Sequence, residues 1–177
     1  MNRIKTKKGF TLVELLVVIA IMGILTVIAV SQFQTAKRKA NDVARKSDIN
    51  SVNKALQMYY ADYGEFPPQT PGEDDPVSVD LNILMELGQE FKDNSLPAYT
   101  YMKVMPTEKN SAMPPYCYVV TADRKKFIVL TGLENEGDSD YNRLNGGNPY
   151  IFTVCGAANE YNFALMSPNA VIGDFTL

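Results

Sequence analysis

The chain has 177 residues, enough for one ordinary domain plus an appendage, with the composition of a folded protein. Its net charge is −3, but Arg3, Lys5, Lys7 and Lys8 stand in an acid-free leader; with these four bases set aside, 13 bases face 20 acids, a net charge of −7. An acidic remainder argues against direct nucleic-acid binding, and the absence of histidine removes the commonest general base and zinc ligand.

Residues 10–30 read FTLVELLVVIAIMGILTVIAV, apolar except for Glu14 and two threonines. The length suits one bilayer crossing, and the basic leader predicts a cytoplasmic N-terminus with the rest outside. Three readings fit to different degrees. A cleaved secretory signal peptide would have a shorter apolar region before a small-residue cleavage site. A plain signal anchor fits length and orientation but gives Glu14 no role, although an acid at the centre of a membrane span costs about 2.5–3.5 kcal/mol. A cut between Gly9 and Phe10 would create an α-amine one helical turn from Glu14, near the positive end of the helix dipole. Between packed copies, Glu14 of one subunit would then pair with the amine of another. Such a buried pair sets register more than stability.

The stretch KKGFTLVELLVVIAI, residues 7–21, resembles the class III leader and N-terminal helix of type IV prepilins and type II secretion pseudopilins. The resemblance implies a leader over residues 1–9, removed by a prepilin peptidase after Gly9. It also implies N-methylation of Phe10, and Glu14 as the acid used in assembly. In that family a mid-span glycine, here Gly23, marks where the helix loosens on filament assembly; Ser31 stands where a proline usually follows.

No proline occurs before Pro67. In residues 31–63, Phe33, Ala36, Ala40, Val43, Ser47, Val52, Ala55, Leu56, Tyr59 and Tyr63 recur mostly three or four apart, one face of an amphipathic helix. The opposite face carries Lys37, Arg38, Asp42, Arg45, Lys46, Asp48, Asn50 and Lys54. A helix from Phe10 to Tyr63 would be ~80 Å long. Lys37–Lys39 reads as a solvated patch, or as a contact for acidic lipid headgroups. The helix end, ARKSDINSVNKALQMYYADYGEFP, resembles the corresponding segment of major pilins and pseudopilins. Gly64 is placed to stop the helix with a positive φ, and Pro67–Pro68 prevents resumption.

After a polar loop at residues 69–78, Leu81, Leu84, Leu87 and Phe91 form one helical stripe with Asp80 as N-cap, predicting a short second helix. Residues 97–115 show no clear period. Strand signals follow at Tyr116–Thr121, Lys126–Thr131 and Tyr150–Cys155. The expected fold class is α+β: an antiparallel sheet of three or four strands laid against the amphipathic half of the long helix. The organisation is a leader (1–9), an apolar membrane and assembly helix (10–30), an amphipathic half (31–66) and an extracytoplasmic domain (67–177). Residues 156–177 carry no assignable pattern.

Cys117 and Cys155 lie in strand-like runs outside the membrane, where a disulfide persists. Closing that loop would stabilise by roughly 4 kcal/mol on the chain-entropy model. Pilins often carry one such bond, which the resemblance extends to this pair; two buried free thiols are the alternative. Asp138, Asp140 and Asn142 have the odd spacing of an oxygen cage for calcium, and major pseudopilins have a calcium site in a loop near the sheet. The loop is not an EF-hand, because Arg143 and Pro149 replace the required glycine and glutamate; a solvated turn is the plainer reading.

No catalytic constellation is present: there is no histidine, no Ser or Cys nucleophile motif and no phosphate-binding glycine loop. The expected function is structural, as a pilus-like filament subunit or a major pseudopilin, with an unprocessed membrane-anchored binding or sensor domain as the alternative of another class. The resemblance implies, as partners, further copies and minor pilins, prepilin peptidase, an inner-membrane assembly platform and the membrane, with no resident cofactor beyond the calcium expectation. It also implies a precursor in the inner membrane and a filament at the cell surface or in the periplasm.

Overall fold

The computed structural model describes residues 9–68, 90–93, 97–141, 146–151 and 160–175. It forms two compact units, residues 1–39 and 40–177. Helix α1 (Leu12–Tyr63) supplies most of the first unit and one layer of the second. In the first unit every described residue is exposed, including the apolar run from Leu12 to Val30.

α1 ends where the sequence demands. Gly64 adopts φ +71°, a conformation that costs a Cβ-bearing residue free energy, and its N–H bonds Tyr60 O at 2.8 Å. The next residues are locked to a hairpin tip: Phe66 N donates to Arg124 O at 2.8 Å, and Arg124 Nε returns a bond to Phe66 O at 2.7 Å.

The remaining strands are β1 (Phe91–Lys92), β2 (Thr100–Met102), β3 (Cys117–Val120), β4 (Phe127–Thr131), β5 (Tyr150–Ile151), β6 (Glu160–Tyr161) and β7 (Phe163–Met166). All pairings are antiparallel: a three-stranded sheet β3-β4-β7 and two-stranded ribbons β1-β2 and β5-β6. A short 3₁₀ helix, Ile172–Phe175, follows. The fold is α+β, with small antiparallel sheets beside the long helix.

β4 organises the second unit. All five of its residues are buried. Phe127 and Val129 pack with Ile49, Val52, Ala55, Leu56 and Tyr59 of α1, together with Tyr118. Ile128 and Leu130 point the other way and pack with Cys117, Val119, Tyr161, Ala164 and Phe175. A strand covered on both faces needs apolar residues at every position, which explains the unbroken run Phe-Ile-Val-Leu. Just beyond it, a Cβ at Gly132 would lie 2.6 Å from Met113 Cε and 2.9 Å from Pro114 Cδ, so the close approach of residues 113–114 requires glycine.

Several expectations are corrected. The buried face of α1 is Asp42, Arg45, Ile49, Val52, Ala55, Leu56 and Tyr59. It agrees with the expected stripe from Val52 to Tyr59 but not earlier, where Phe33 is 71% and Val43 68% exposed and Ser47 is exposed. Asp42 and Arg45, expected on the solvated face, are buried because they satisfy each other and three loop groups. Phe91 belongs to strand β1, not to a helix; the rest of that expected helix lies outside the described residues. β2 falls in the stretch without period, and β6, β7 and the 3₁₀ helix fall in the tail that carried no pattern.

Leu56 is fully buried between helix and sheet. Leu56→Ala is expected to destabilise the protein by about 2–5 kcal/mol, through lost transfer energy and the cavity left behind, as read from denaturant unfolding.

Candidate functional site

The N-terminal segment contains the expected processing and assembly residues that are described. Gly9 precedes the helix with no atom within 4 Å of a would-be Cβ, and Phe10 is 84% exposed. Thr11 caps α1. Its Oγ1 accepts from Glu14 N at 3.2 Å, while Glu14 Oε2 accepts from Thr11 N at 2.9 Å and from Thr11 Oγ1 at 2.7 Å. This is the reciprocal capping box of Thr-x-x-Glu, in which both orphan ends of the first turn are satisfied. Glu14 therefore has a local partner within its own chain, a role the sequence pattern signals and that the charge-pair argument passed over.

α1 runs without a break through Gly23, where a Cβ would meet nothing within 4 Å. The helix contains a stretch long and apolar enough to cross a membrane. Fourteen large apolar side chains between Leu12 and Val30 lie 41–81% exposed, so this part of α1 needs lipid or other helices to cover it.

A second cluster gathers around Arg45, which is 4% exposed. Its Nη1 reaches Asp42 Oδ1 at 2.9 Å, Nε reaches Glu108 Oε2 at 2.7 Å and Nη2 reaches Glu134 Oε1 at 2.7 Å. Asp42, one turn earlier, accepts from the backbone N–H groups of Glu134 and Asn135 at 2.8 and 2.9 Å. Asn41 and Asn110 also donate to Glu134. Burial alone would lower the basicity of Arg45, but its carboxylate partners outweigh this and hold the guanidinium firmly charged. Burial likewise pushes the Glu134 carboxyl up, yet the bonds from Arg45, Asn110 and Asn41 keep it below its ordinary 4.5.

The neighbouring Lys46 bears on the calcium expectation. Its Nζ lies 2.5 Å from Asp138 Oδ1 and 2.9 Å from Asp140 Oδ2. The Lys46 hydrogen bond is the main reason that the Asp138 carboxyl sits below its ordinary 3.8. An ammonium thus supplies positive charge beside Asp138 and Asp140, the two described residues of the calcium expectation. Among the described residues no group of three or more His, Cys, Asp or Glu could hold a metal ion. Asn142 lies outside the described residues, as does Cys155; Cys117 is completely buried in β3.

An exposed apolar helix opening on Gly-Phe-Thr, with small antiparallel sheets later in the chain, makes this an α+β protein. The prokaryotic N-terminal methylation motif matches residues 4–30. Type II secretion system core protein G of Klebsiella michiganensis is 40% identical over 70 residues, 40% of this chain and 49% of that protein. Core protein G of Escherichia coli is 38% identical over 66 residues, 37% of this chain and 46% of that protein. The type IV wide pilus major component PilA4 of Thermus thermophilus is 37% identical over 62 residues, 35% of this chain and 47% of that protein. The chain spans about half the length of the curated relatives it matches. No solved structure matches it. The chain is thus similar to type II secretion core G proteins and to a type IV pilus component alike.

Arg45→Met leaves Asp42, Glu108 and Glu134 without their cation and is expected to cost about 3–5 kcal/mol in denaturant unfolding. A carboxyl held below its ordinary value stabilises the fold above that value and loses the contribution as pH falls through the folded value. Stability should therefore drop as pH falls below 4.5, and Glu134→Gln should flatten that slope in melts taken across acid pH. The melting temperature should be lowered by Lys46→Gln, which removes the cation from Asp138 and Asp140.

Proposed function

We propose that this chain is the structural subunit of a type IV pilus-like filament, not an enzyme. The observation that carries the reading is the N-terminal segment: Gly9-Phe10-Thr11 opening a helix whose apolar surface is uncovered as far as Val30. In this reading the precursor sits in the inner membrane with residues 1–9 in the cytoplasm. A prepilin peptidase cuts after Gly9 and methylates Phe10. An inner-membrane assembly platform then stacks the subunit, with minor pilins, through residues 10–30. Extraction from lipid exchanges acyl chains for neighbouring helices, so the apolar surface stays covered throughout.

The new amine of Phe10 and the carboxylate of Glu14 then lie at the same end of the helix. In the intact chain Glu14 is held by Thr11. After cleavage the carboxylate exchanges or shares that bond with the amine of a neighbour, fixing axial register. Gly23, with no side chain and a lower helix propensity, is where α1 loosens during packing. Cys117 bonds Cys155, tying β3 to the segment after β5; the complete burial of Cys117 supports this. No resident cofactor is needed.

A second reading has its own support. Relatives named type II secretion system core protein G match the chain at 40% identity over 70 residues, beside 37% over 62 residues for the pilus component. Under that reading the subunit builds a periplasmic pseudopilus that serves protein secretion, and everything said of residues 9–30 stands.

The test is intact mass and N-terminal sequencing of the chain produced with a prepilin peptidase. Loss of residues 1–9 with one methyl added on Phe10 is expected. A chain that still begins at Met1 would refute the reading and favour an anchored binding or sensor domain. Glu14→Gln should be processed and inserted normally but fail to enter filaments.

A further inference from the structure

The apolar run of α1 stops at Val30, but the helix continues through six further residues into Lys37, Arg38 and Lys39, all three exposed. Successive residues on a helix are about 100° apart, so the three bases form a collar around more than half of its circumference. No acid stands between Glu14 and Asp42. Asp42 is itself occupied by Arg45 and by the backbone amides of Glu134 and Asn135. Among the described residues no carboxylate pairs with the collar, so its three positive charges stand open to whatever surrounds that part of the helix.

Distance along the helix gives the surroundings. At the helical rise, residues 10–30 span ~31 Å, the thickness of a hydrocarbon core. Lys37 follows Val30 by seven residues, ~10 Å further along the axis, while the headgroup layer adds about 5–8 Å on each side. The Cα–Cβ bonds of a helix tilt toward its N-terminus, here back toward the apolar run, and long basic stems reach further the same way. The three charges therefore come level with lipid phosphates when residues 10–30 fill the core. Phe33, 71% exposed and one turn before Lys37, offers an apolar ring at the boundary between the two layers.

Insertion does not call for this arrangement. Bases beyond the outer end weaken the orientation bias that the leader's four bases set. The described part of the fold does not use them either. We propose that Lys37, Arg38 and Lys39 bind the phosphates of anionic lipid headgroups in the outer leaflet and hold the subunit at one depth while it waits in the membrane. The inference rests on the membrane-resident precursor of the filament reading above. Removal of the leader then takes away the ionic hold on the inner side and leaves the collar holding the outer side. Drawing the subunit into a filament breaks that contact, so the collar opposes premature release.

The test is the full chain in phosphatidylcholine vesicles, with spin-labelled phosphatidylglycerol or phosphatidylcholine as probe and the fraction of each probe immobilised at the protein as readout. The triple change Lys37→Gln, Arg38→Gln, Lys39→Gln is expected to lower the preference for the anionic probe about threefold, the leader's bases being common to both chains. Lys37→Arg combined with Lys39→Arg should keep the preference, and about 1 M salt should bring the wild type level with the triple variant. The unfolding midpoint of the triple variant should not move, because all three side chains are exposed. An unchanged preference in the triple variant would overturn the proposal; a fall in its filament yield at the same time would assign the bases to an acidic protein surface. A chain washed from the vesicles by alkaline carbonate would overturn the membrane placement and the proposal together. An inserted chain that prepilin peptidase leaves uncut would refute the filament reading alone, while the probe comparison still decides the collar.

Discussion

A guanidinium buried beside three carboxylates leaves the chain little freedom over where its loops go. Arg45 stands on α1, but Glu108 and Glu134 come from segments 63 and 89 residues further on. Each must arrive with an oxygen within 2.7 Å of a nitrogen, and Asp42 holds the backbone after β4 at the same time. Any displaced partner would leave a charge in a dry site, at a cost larger than the pair itself returns. The network thus works less as a source of stability than as a gauge that admits one arrangement of helix, loop and sheet. Lys46, with Asp138 and Asp140, extends the same fastening along the following residues.

That fastening explains where the helix face could be read and where it could not. From Val52 to Tyr59 burial follows apolar periodicity, because the partners there are Phe127, Val129 and Tyr118. About two and three turns earlier the same face carries Arg45 and Asp42, and polar residues read as solvent-facing unless their partners are known. Those partners lie far along the sequence and belong to no motif. The strands divide in a similar way. β3 and β4 carry β-branched and aromatic residues between turn signals and were legible. β7, Phe163–Met166, has no β-branched residue and includes Ala, Leu and Met, which favour helices; only its pairing with β4 makes it a strand. β2 and β6 are too short for a period to show.

At the N-terminus the apolar helix was legible for the opposite reason, although the Thr11 cap was not read. Its chemistry is local: a leader glycine, a threonine cap, an acid three residues later and a run of apolar residues need no distant partner. Glu14 is the instructive residue. Its carboxylate accepts two bonds from Thr11, so its cost inside an apolar helix is partly met before any neighbour arrives. An acid already prepared by its own turn can be carried into a membrane and still offer charge to an incoming amine. In the proposed filament, capping and assembly would be successive uses of one group rather than competing ones.

The position of β7 has a consequence for how the molecule is made. β4 is covered on one face by α1 and β3, but its other face is closed by Tyr161, Ala164 and Phe175. If the chain is exported with its N-terminus held in the cytoplasm, as proposed above, the end of α1 and the β3–β4 hairpin emerge well before residues 160–175. During that interval Ile128 and Leu130 lie open to water or to chaperones, and no half-delivered chain has a closed core. In that proposed route completion of the domain would report completion of export, and a chain stalled short of β7 would betray itself by an apolar sheet face that proteases can recognise.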